Sequence, residues 1–322
     1  MNNIEWFKNA EFGMMVHFGL YSIPAGEWKG KRMPYIGEWL QAYYRIPNNE
    51  YHELAKIFNP IYFDAEEWVR TAKSAGAKYI VVTSKHHDGF ALYHSKVDGF
   101  NCVDASPFGR DIIEEVANAC SKLGLKMGLY YSQELDWSHP HGGGYGATYL
   151  NLDNTTSWTN DWDFPDNSNK NFSICFKEKI KPQMEELVKN YGDIAVMWCD
   201  MPFDISKNES LELYNMIKEH QPQCLVNSRM GNGVCDFGSA EDNDIVSDIG
   251  DNKIFEMPGT LNDTWGYKAF DNNWKTPEEV LRIKNYLNSI GSNYLLNIGP
   301  DYLGRIPVPA AEIFKQIGRA SK

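Results

Sequence analysis

An irregular (β/α)8 barrel, an α/β fold of the TIM-like kind, is what this 322-residue sequence predicts, on three observations. Short apolar runs of strand length alternate with segments of helical periodicity, the pattern of parallel β-α units. Polar residues gather just after those runs, at His17, Lys85 to Asp88, Gln133 and Glu134, Asp200 and Arg229. A barrel builds its site from such strand ends, bringing together residues far apart in the chain. A doubly wound open sheet also binds ligands there, but it calls for a glycine-rich phosphate turn after an early strand, and the sequence has none. The length suits a single catalytic domain over 1–322.

The first strand is expected over residues 14–18, MMVHF. Asp64 and Glu67 read as a capping box opening a helix over 65–74, closed by Gly76. A strand follows at 79–83, YIVVT, and then a helix opened by Asp111 and Glu114. Its Ile112, Val116, Ala119 and Leu123 recur at helical spacing up to Gly124. Residues 126–131, KMGLYY, form the next strand. The stretch 136–171 is the least regular. Its Trp158, Trp162 and Phe164 favour a lid or wall over the site, and His139 and His141 read as solvated loop residues with no third metal ligand at a sensible spacing. A helix over 177–189 precedes the strand 194–199, IAVMWC, and another over 210–220 precedes the strand 224–227, CLVN. Thr276, Pro277 and Glu279 supply a cap, a first-turn proline and a third-position glutamate for a helix over 280–287. The last strand is 294–298, YLLNI. Six strands are legible where the fold needs eight.

Composition excludes several functions. The net charge of −12 argues against nucleic acid or an anionic membrane surface as partner, since phosphate binding needs basic patches. No run approaches the ~18 consecutive apolar residues of a membrane span. The N-terminal MNNIEW lacks the basic and apolar regions of a signal peptide, as expected of a cytoplasmic chain or one trimmed of its leader. The six cysteines are scattered without a CxxC pair, so neither a zinc site nor a disulfide framework is expected. No cofactor or metal is called for, and the oligomeric state is open. Aromatic residues make up 14% of the chain, with 10 Trp and 18 Tyr, which suits the platforms of a sugar site as well as a large core.

The chemistry concentrates at Asp200. The apolar run 194–199 delivers this carboxylate at its C-terminal tip beside Trp198, and Met201-Pro202 breaks the chain straight after it. Such a carboxylate can attack or stabilise an electron-poor carbon while the indole offers a sugar ring an apolar face. A turn or helix cap is the competing reading of a lone Asp.

Other segments repeat this design. FGMMVHFG at 12–19, GEW at 37–39, TSKHHDGF at 83–90, LYYS at 129–132, MWCD at 197–200, VNSR at 226–229, WGY at 265–267 and NYLLNIGP at 293–300 occur in that order. The series resembles the catalytic domain of the retaining α-L-fucosidases, glycoside hydrolase family 29, from about Glu5 to about Pro307. The resemblance implies an exo-acting hydrolase that releases terminal α-L-fucose from fucosylated glycans, with Asp200 as nucleophile. It also implies that His17, Glu38, Trp39, His86, His87, Tyr130, Arg229 and Trp265 line the sugar pocket, with Trp198 beside the nucleophile. In an extended segment His86 and His87 would face opposite ways, so a pocket using both requires a bent strand end.

A retaining enzyme needs a second carboxyl ~5–5.5 Å from the nucleophile. The resemblance offers Glu241, favoured, and Glu256 as the alternative; a solvated loop position is the ordinary fate of either. Ser228 departs from the family's frequent Asp, and the sequence ends soon after Pro307, without the β-sandwich that many relatives carry. The lack of a Gly-Asn-Glu segment favours the broader-specificity subgroup. Two alternatives accompany this expectation: the same mechanism on a related sugar such as an α-L-galactoside, and a catalytically silent fucose-binding barrel.

Overall fold

The computed structural model describes residues 3–144, 158–250 and 254–320. Its centre is a parallel sheet of eight strands: β1 (Phe12–Val16), β2 (Tyr79–Lys85), β3 (Lys126–Ser132), β4 (Ile194–Asp200), β5 (Leu225–Val226), β6 (Gly238–Ser239), β7 (Phe255–Thr260) and β8 (Ser292–Ile298). They lie in the order β5-β4-β3-β2-β1-β8-β7-β6. The two edges meet through a parallel bridge between Asn227 and Phe237, where the Asp236 N–H donates to the Val226 carbonyl at 2.8 Å. Strand follows strand around the ring in sequence order, as in a (β/α)8 barrel.

Helices α1 (Ala65–Ser74), α2 (Ile112–Leu123), α3 (Lys181–Asn190), α4 (Lys207–His220), α5 (Pro277–Ser289) and α6 (Val308–Ala320) cover the outside. Three of them start at caps read from sequence. Asp64 accepts from the Glu66 and Glu67 N–H groups, Asp111 from Glu114, and Thr276 from Glu279. The complete capping box, however, is Ser206 with Glu209 at the start of α4, so that helix begins earlier than its apolar spacing suggested. The helix expected over 177–189 is longer too. It opens as Phe172–Cys175 and passes through a π turn, Phe176–Ile180, into α3. The wider turn lies just ahead of Pro182, which has no N–H to give to an α-helical ladder.

Two strands escaped the sequence. β6 is only two residues long, and β7 reads FEMPGT, where a glutamate, a proline and a glycine hide a strand buried from Glu256 to Thr260. His139 and His141, expected to be solvated, are half-buried. His139 faces Glu178, and His141 accepts the Asn171 backbone N–H.

Side-chain alternation divides the core in two. Outward residues of the strands pack under the helices, Met14, Val16, Ile80, Val82, Leu129, Met197 and Leu296 among them. Inward residues fill the barrel: Met15, Tyr79, Val81, Tyr130, Val196, Trp198 and Leu295. Gly13 is an inward position that must stay small, because a Cβ there would fall 2.4 Å from the Tyr79 ring. The N-terminal helix Asn3–Lys8 closes the bottom, its Phe7 ring 5.4 Å from Tyr79 and 4.6 Å from Phe237. At the other end the same alternation turns polar.

Candidate active site

On β4, Val196, Trp198 and Asp200 share one face, so the carboxylate continues the inward row and emerges at the barrel mouth. Met201 then takes a left-handed backbone, φ 64°, which turns the chain away at once and leaves Asp200 at the tip. A non-glycine residue held there costs on the order of 1–3 kcal/mol, the kind of strain that collects at functional sites. Asp200 Oδ2 accepts the Tyr130 hydroxyl at 2.7 Å, and Oδ1 accepts Arg229 Nη1 at 2.9 Å. Burial and the Asp200 charge raise Tyr130 well above its ordinary value, so it stays a neutral donor.

Arg229 sits in the turn after β5, where Gln133 Nε2 donates to the carbonyls of Arg229 and Met230. Burial works against its charge, but Asp242 and Asp200 outweigh burial and raise its pKa. Its guanidinium lies 4.8 Å from the Trp198 ring, and Nη2 donates to Asp242 Oδ1 at 2.6 Å. One guanidinium therefore touches two carboxylates.

A cavity of about 380 Å³ opens above Asp200. Every residue singled out by the resemblance lines it except Glu256: His17, Glu38, Trp39, His86, His87, Tyr130, Trp198, Asp200, Arg229, Glu241 and Trp265. A larger groove, about 760 Å³, lies at the opposite end around Trp6, Gly124 and Asp193. The smaller cavity is the candidate site, because it is at the strand C-terminal ends and the ionisable groups converge in it.

Burial disfavours charge on the three imidazoles, and the tautomers of His17 and His87 follow from their partners. Asn297 Nδ2 donates to the Trp265 carbonyl, which leaves Oδ1 to accept from His17 Nδ1 at 2.7 Å and turns His17 Nε2 into an acceptor. Burial lowers His17 to about 4, against the pull of Asn297 and Asp200. His86 and His87 do both reach the cavity. The register slips between Thr83 and Lys85, and the two rings end 4.0 Å apart. Burial, with the charge of Lys85 and of neighbouring imidazoles, lowers both well below 6.5. The Ser132 hydroxyl spends its proton on the Leu135 carbonyl, so it accepts from His87 Nδ1 at 2.7 Å. His86 Nδ1 is buried with no hydrogen-bond partner among the described residues.

Glu38 is raised to about 7 by burial, although the Gly266 N–H donates to it at 2.8 Å. That bond also fixes the loop carrying Trp265, whose ring is 5.2 Å from His17. Trp39 packs edge-on against His87, Trp137 and Trp158. Trp158 thus brings the irregular 136–171 stretch to the cavity wall, as expected; the part of that stretch at 145–157 lies outside the described residues.

The two acid/base candidates part company. Glu241 is an exposed loop residue at the cavity. Glu256 is enclosed in the barrel, where it accepts from Trp198 Nε1 at 2.8 Å and from the Tyr79 hydroxyl, and burial raises it to about 7. The sequence reading passed over Asp242, which also lines the cavity. The loop bearing both carboxylates is pinned to β7, with Asn243 N–H donating to the Pro258 carbonyl and Asn243 Oδ1 accepting the Thr260 N–H at 2.8 Å. Met15, Tyr35, Ile36 and Met201 complete the lining.

A family model described as alpha-L-fucosidase matches residues 1–320. The plasma alpha-L-fucosidase of Homo sapiens is 30% identical over 335 residues, covering 97% of this chain and 66% of that protein. The chain spans just under two thirds of the length of the first curated relatives it matches. The alpha-L-fucosidase AlfC from Lactobacillus casei, solved with its α-L-fucose product, is 51% identical with a TM-score of 0.92 and covers 98% of each chain. A mutant of AlfC with one aspartate changed to alanine was solved with Fucα(1,6)GlcNAc; it is 51% identical, with a TM-score of 0.93 and coverage of 99% and 98%. Among the described residues no helix is long and apolar enough to cross a membrane.

Proposed function

Because the chain belongs to the α-L-fucosidase family, we propose that it releases terminal α-L-fucose from fucosylated glycans by double displacement, residues 1–322 acting as one catalytic domain. The observation that carries this reading is the strand-tip Asp200, held by Tyr130 and Arg229 at the floor of a cavity walled by neutral imidazoles and indoles. Asp200 attacks the anomeric carbon as the glycosidic bond breaks, and the departing oxygen takes a proton from a second carboxyl. Water, deprotonated by that same carboxylate, then attacks the fucosyl-Asp200 ester and frees the sugar. Neutral His17 and His87 offer acceptor nitrogens to sugar hydroxyls, and Glu38 accepts more.

The second carboxyl lies on the loop after β6. Sequence favours Glu241; the geometry favours its neighbour Asp242. Asp242 and Asp200 bond the two terminal nitrogens of one guanidinium, which supports their working as a pair across the anomeric carbon. Its charge also reaches His17 and Glu38 on the far wall. The Arg229–Asp242 pair is half-exposed on the Asp side, 47%, so it is weak in water, and an Asp242 that has taken up a proton is free to leave Arg229 and donate to the glycosidic oxygen.

Met15, Ile36 and Trp265 give the cavity an apolar side for the C6 methyl of fucose. An L-galactoside would bury an added hydroxyl there, a loss of about 1–3 kcal/mol if unpaired. The AlfC complex with Fucα(1,6)GlcNAc makes that disaccharide the natural substrate to try first. The test is hydrolysis of 4-nitrophenyl α-L-fucoside beside the matching α-L-galactoside. Turnover of the fucoside with a lower kcat/KM for the galactoside is expected. Binding of fucose without turnover would reduce the chain to a lectin-like barrel, and a preference for galactoside would overturn the substrate assignment.

A further inference from the structure

Beneath the cavity floor lies a carboxyl that the double displacement does not use. Glu256 is fully enclosed, on β7, with its two oxygens committed to the Trp198 indole N–H and the Tyr79 hydroxyl. These partners come from β4 and β2, so one side chain ties three strands together inside the barrel. The Tyr79 ring fits only because position 13 is glycine, and it is wedged further by Phe7 and Trp6 from the bottom helix.

What rests on Trp198 gives this tie its meaning. The Tyr130 ring stacks on the indole with centroids 5.6 Å apart and planes 19° from parallel, and the Arg229 guanidinium lies 4.8 Å from it. Tyr130 and Arg229 are the two groups that donate to Asp200. An apolar side chain at 256 would pack the barrel as well, but would leave the indole N–H and a tyrosine hydroxyl buried without an acceptor. The indole would then lose the hydrogen bond that fixes its tilt within that stack.

We propose that Glu256 is a positioning residue: it sets the Trp198 indole, and through it the two donors that aim Asp200 at the anomeric carbon. The inference rests on Asp200 being the nucleophile. Glu256 does not line the cavity, and its two hydrogen bonds go to Trp198 and Tyr79 and to none of the sugar-facing His17, Glu38 and Trp39. Its loss therefore acts on kcat more than on sugar binding.

A double-mutant cycle tests this, read on 4-nitrophenyl α-L-fucoside, whose leaving group needs little protonation. E256L is expected to lower kcat about ten- to hundredfold, since a small misplacement of reacting groups has that effect, while inhibition by L-fucose changes less than about twofold. E256Q, whose amide still accepts from Trp198 and can donate to Tyr79, should stay within about threefold of the wild type. Y130F should cost much less in the E256L background than alone, because the donor it removes is already misaimed. Multiplicative effects of E256L and Y130F, or wild-type kcat in E256L, would overturn the proposal. If E256L does not fold, the same cycle is run with Y79F, which removes the other tether of the carboxyl, and independent multiplication again overturns it. Loss of turnover in an Asp200 variant is measured separately, so a failure of the nucleophile assignment is not mistaken for a failure of this one.

Discussion

Replacing Asp200 by glycine is expected to leave a folded chain whose kcat on 4-nitrophenyl α-L-fucoside is at least about a thousandfold lower. The missing side chain opens room for a small anion, so added azide should restore part of the rate. Near wild-type turnover in that variant would remove Asp200 from the role. The neighbouring carboxylates are separated by leaving group. D242A should slow a natural fucoside far more than the nitrophenyl one, because a sugar alkoxide needs the proton and a nitrophenolate hardly does. E241A should slow both by similar, small factors; leaving-group sensitivity in E241A alone would return the proton to Glu241. Asp200 was legible in the sequence because an apolar run, a tryptophan and a chain break frame it. Asp242 was not, since two adjacent acids on a loop look alike until the loop's direction is known. That direction is set by Asn243, tied to Thr260 of a strand that the sequence concealed.

At the scale of elements, the barrel interior is filled by interlocking pairs, of which Gly13 with Tyr79 is the tightest. Gly13→Ala would force a Cβ into the ring, and β1, hydrogen-bonded between β2 and β8, has little freedom to move away. Destabilisation of about 1–3 kcal/mol, or failure to fold, is expected; an unchanged Tm would show that the interior is looser than described. The helices were legible because caps and apolar spacing agree, as at Asp64 and Asp111. β7 was not, because its Glu256, Pro258 and Gly259 each oppose a strand on local grounds. Tertiary burial overrides them: the indole N–H and Tyr79 satisfy Glu256, and β7 pairs with β8 along its whole length. The bend that brings His86 and His87 together was inferred only from the need for both; the register slip after Thr83 is its physical form.

For the whole molecule, buried titratable groups set the dependence of stability on pH. Burial raises Glu38 and Glu256 to about 7 and Glu134 to about 8, above the ordinary 4.5. A carboxyl raised in this way holds its proton more tightly when folded, so its contribution is full below its unfolded value and is lost as pH rises through the folded one. His17, lowered to about 4, and His86 and His87, held well below 6.5 by burial, act at the other end. Their contribution is present above 6.5 and lost as pH falls through their folded values. Between pH 6.5 and 8 the carboxyls dominate, before Lys170, lowered to about 8 by burial, acts in the opposite sense, and Tm is expected to fall over that range, less steeply in E256Q. A Tm that rises over that range would contradict the burial of these groups.

In the proposed reaction Asp200 and a second carboxyl carry out two displacements at a single carbon. The direct measurement is proton NMR during the first minutes of hydrolysis of an α-L-fucoside, before mutarotation mixes the anomers. Two inversions restore the starting configuration, so α-L-fucose should appear first and the β anomer grow in later. β-L-fucose as the first product would mean a single displacement by water, and would contradict both the fucosyl-Asp200 intermediate and the role given to the Asp242 carboxyl.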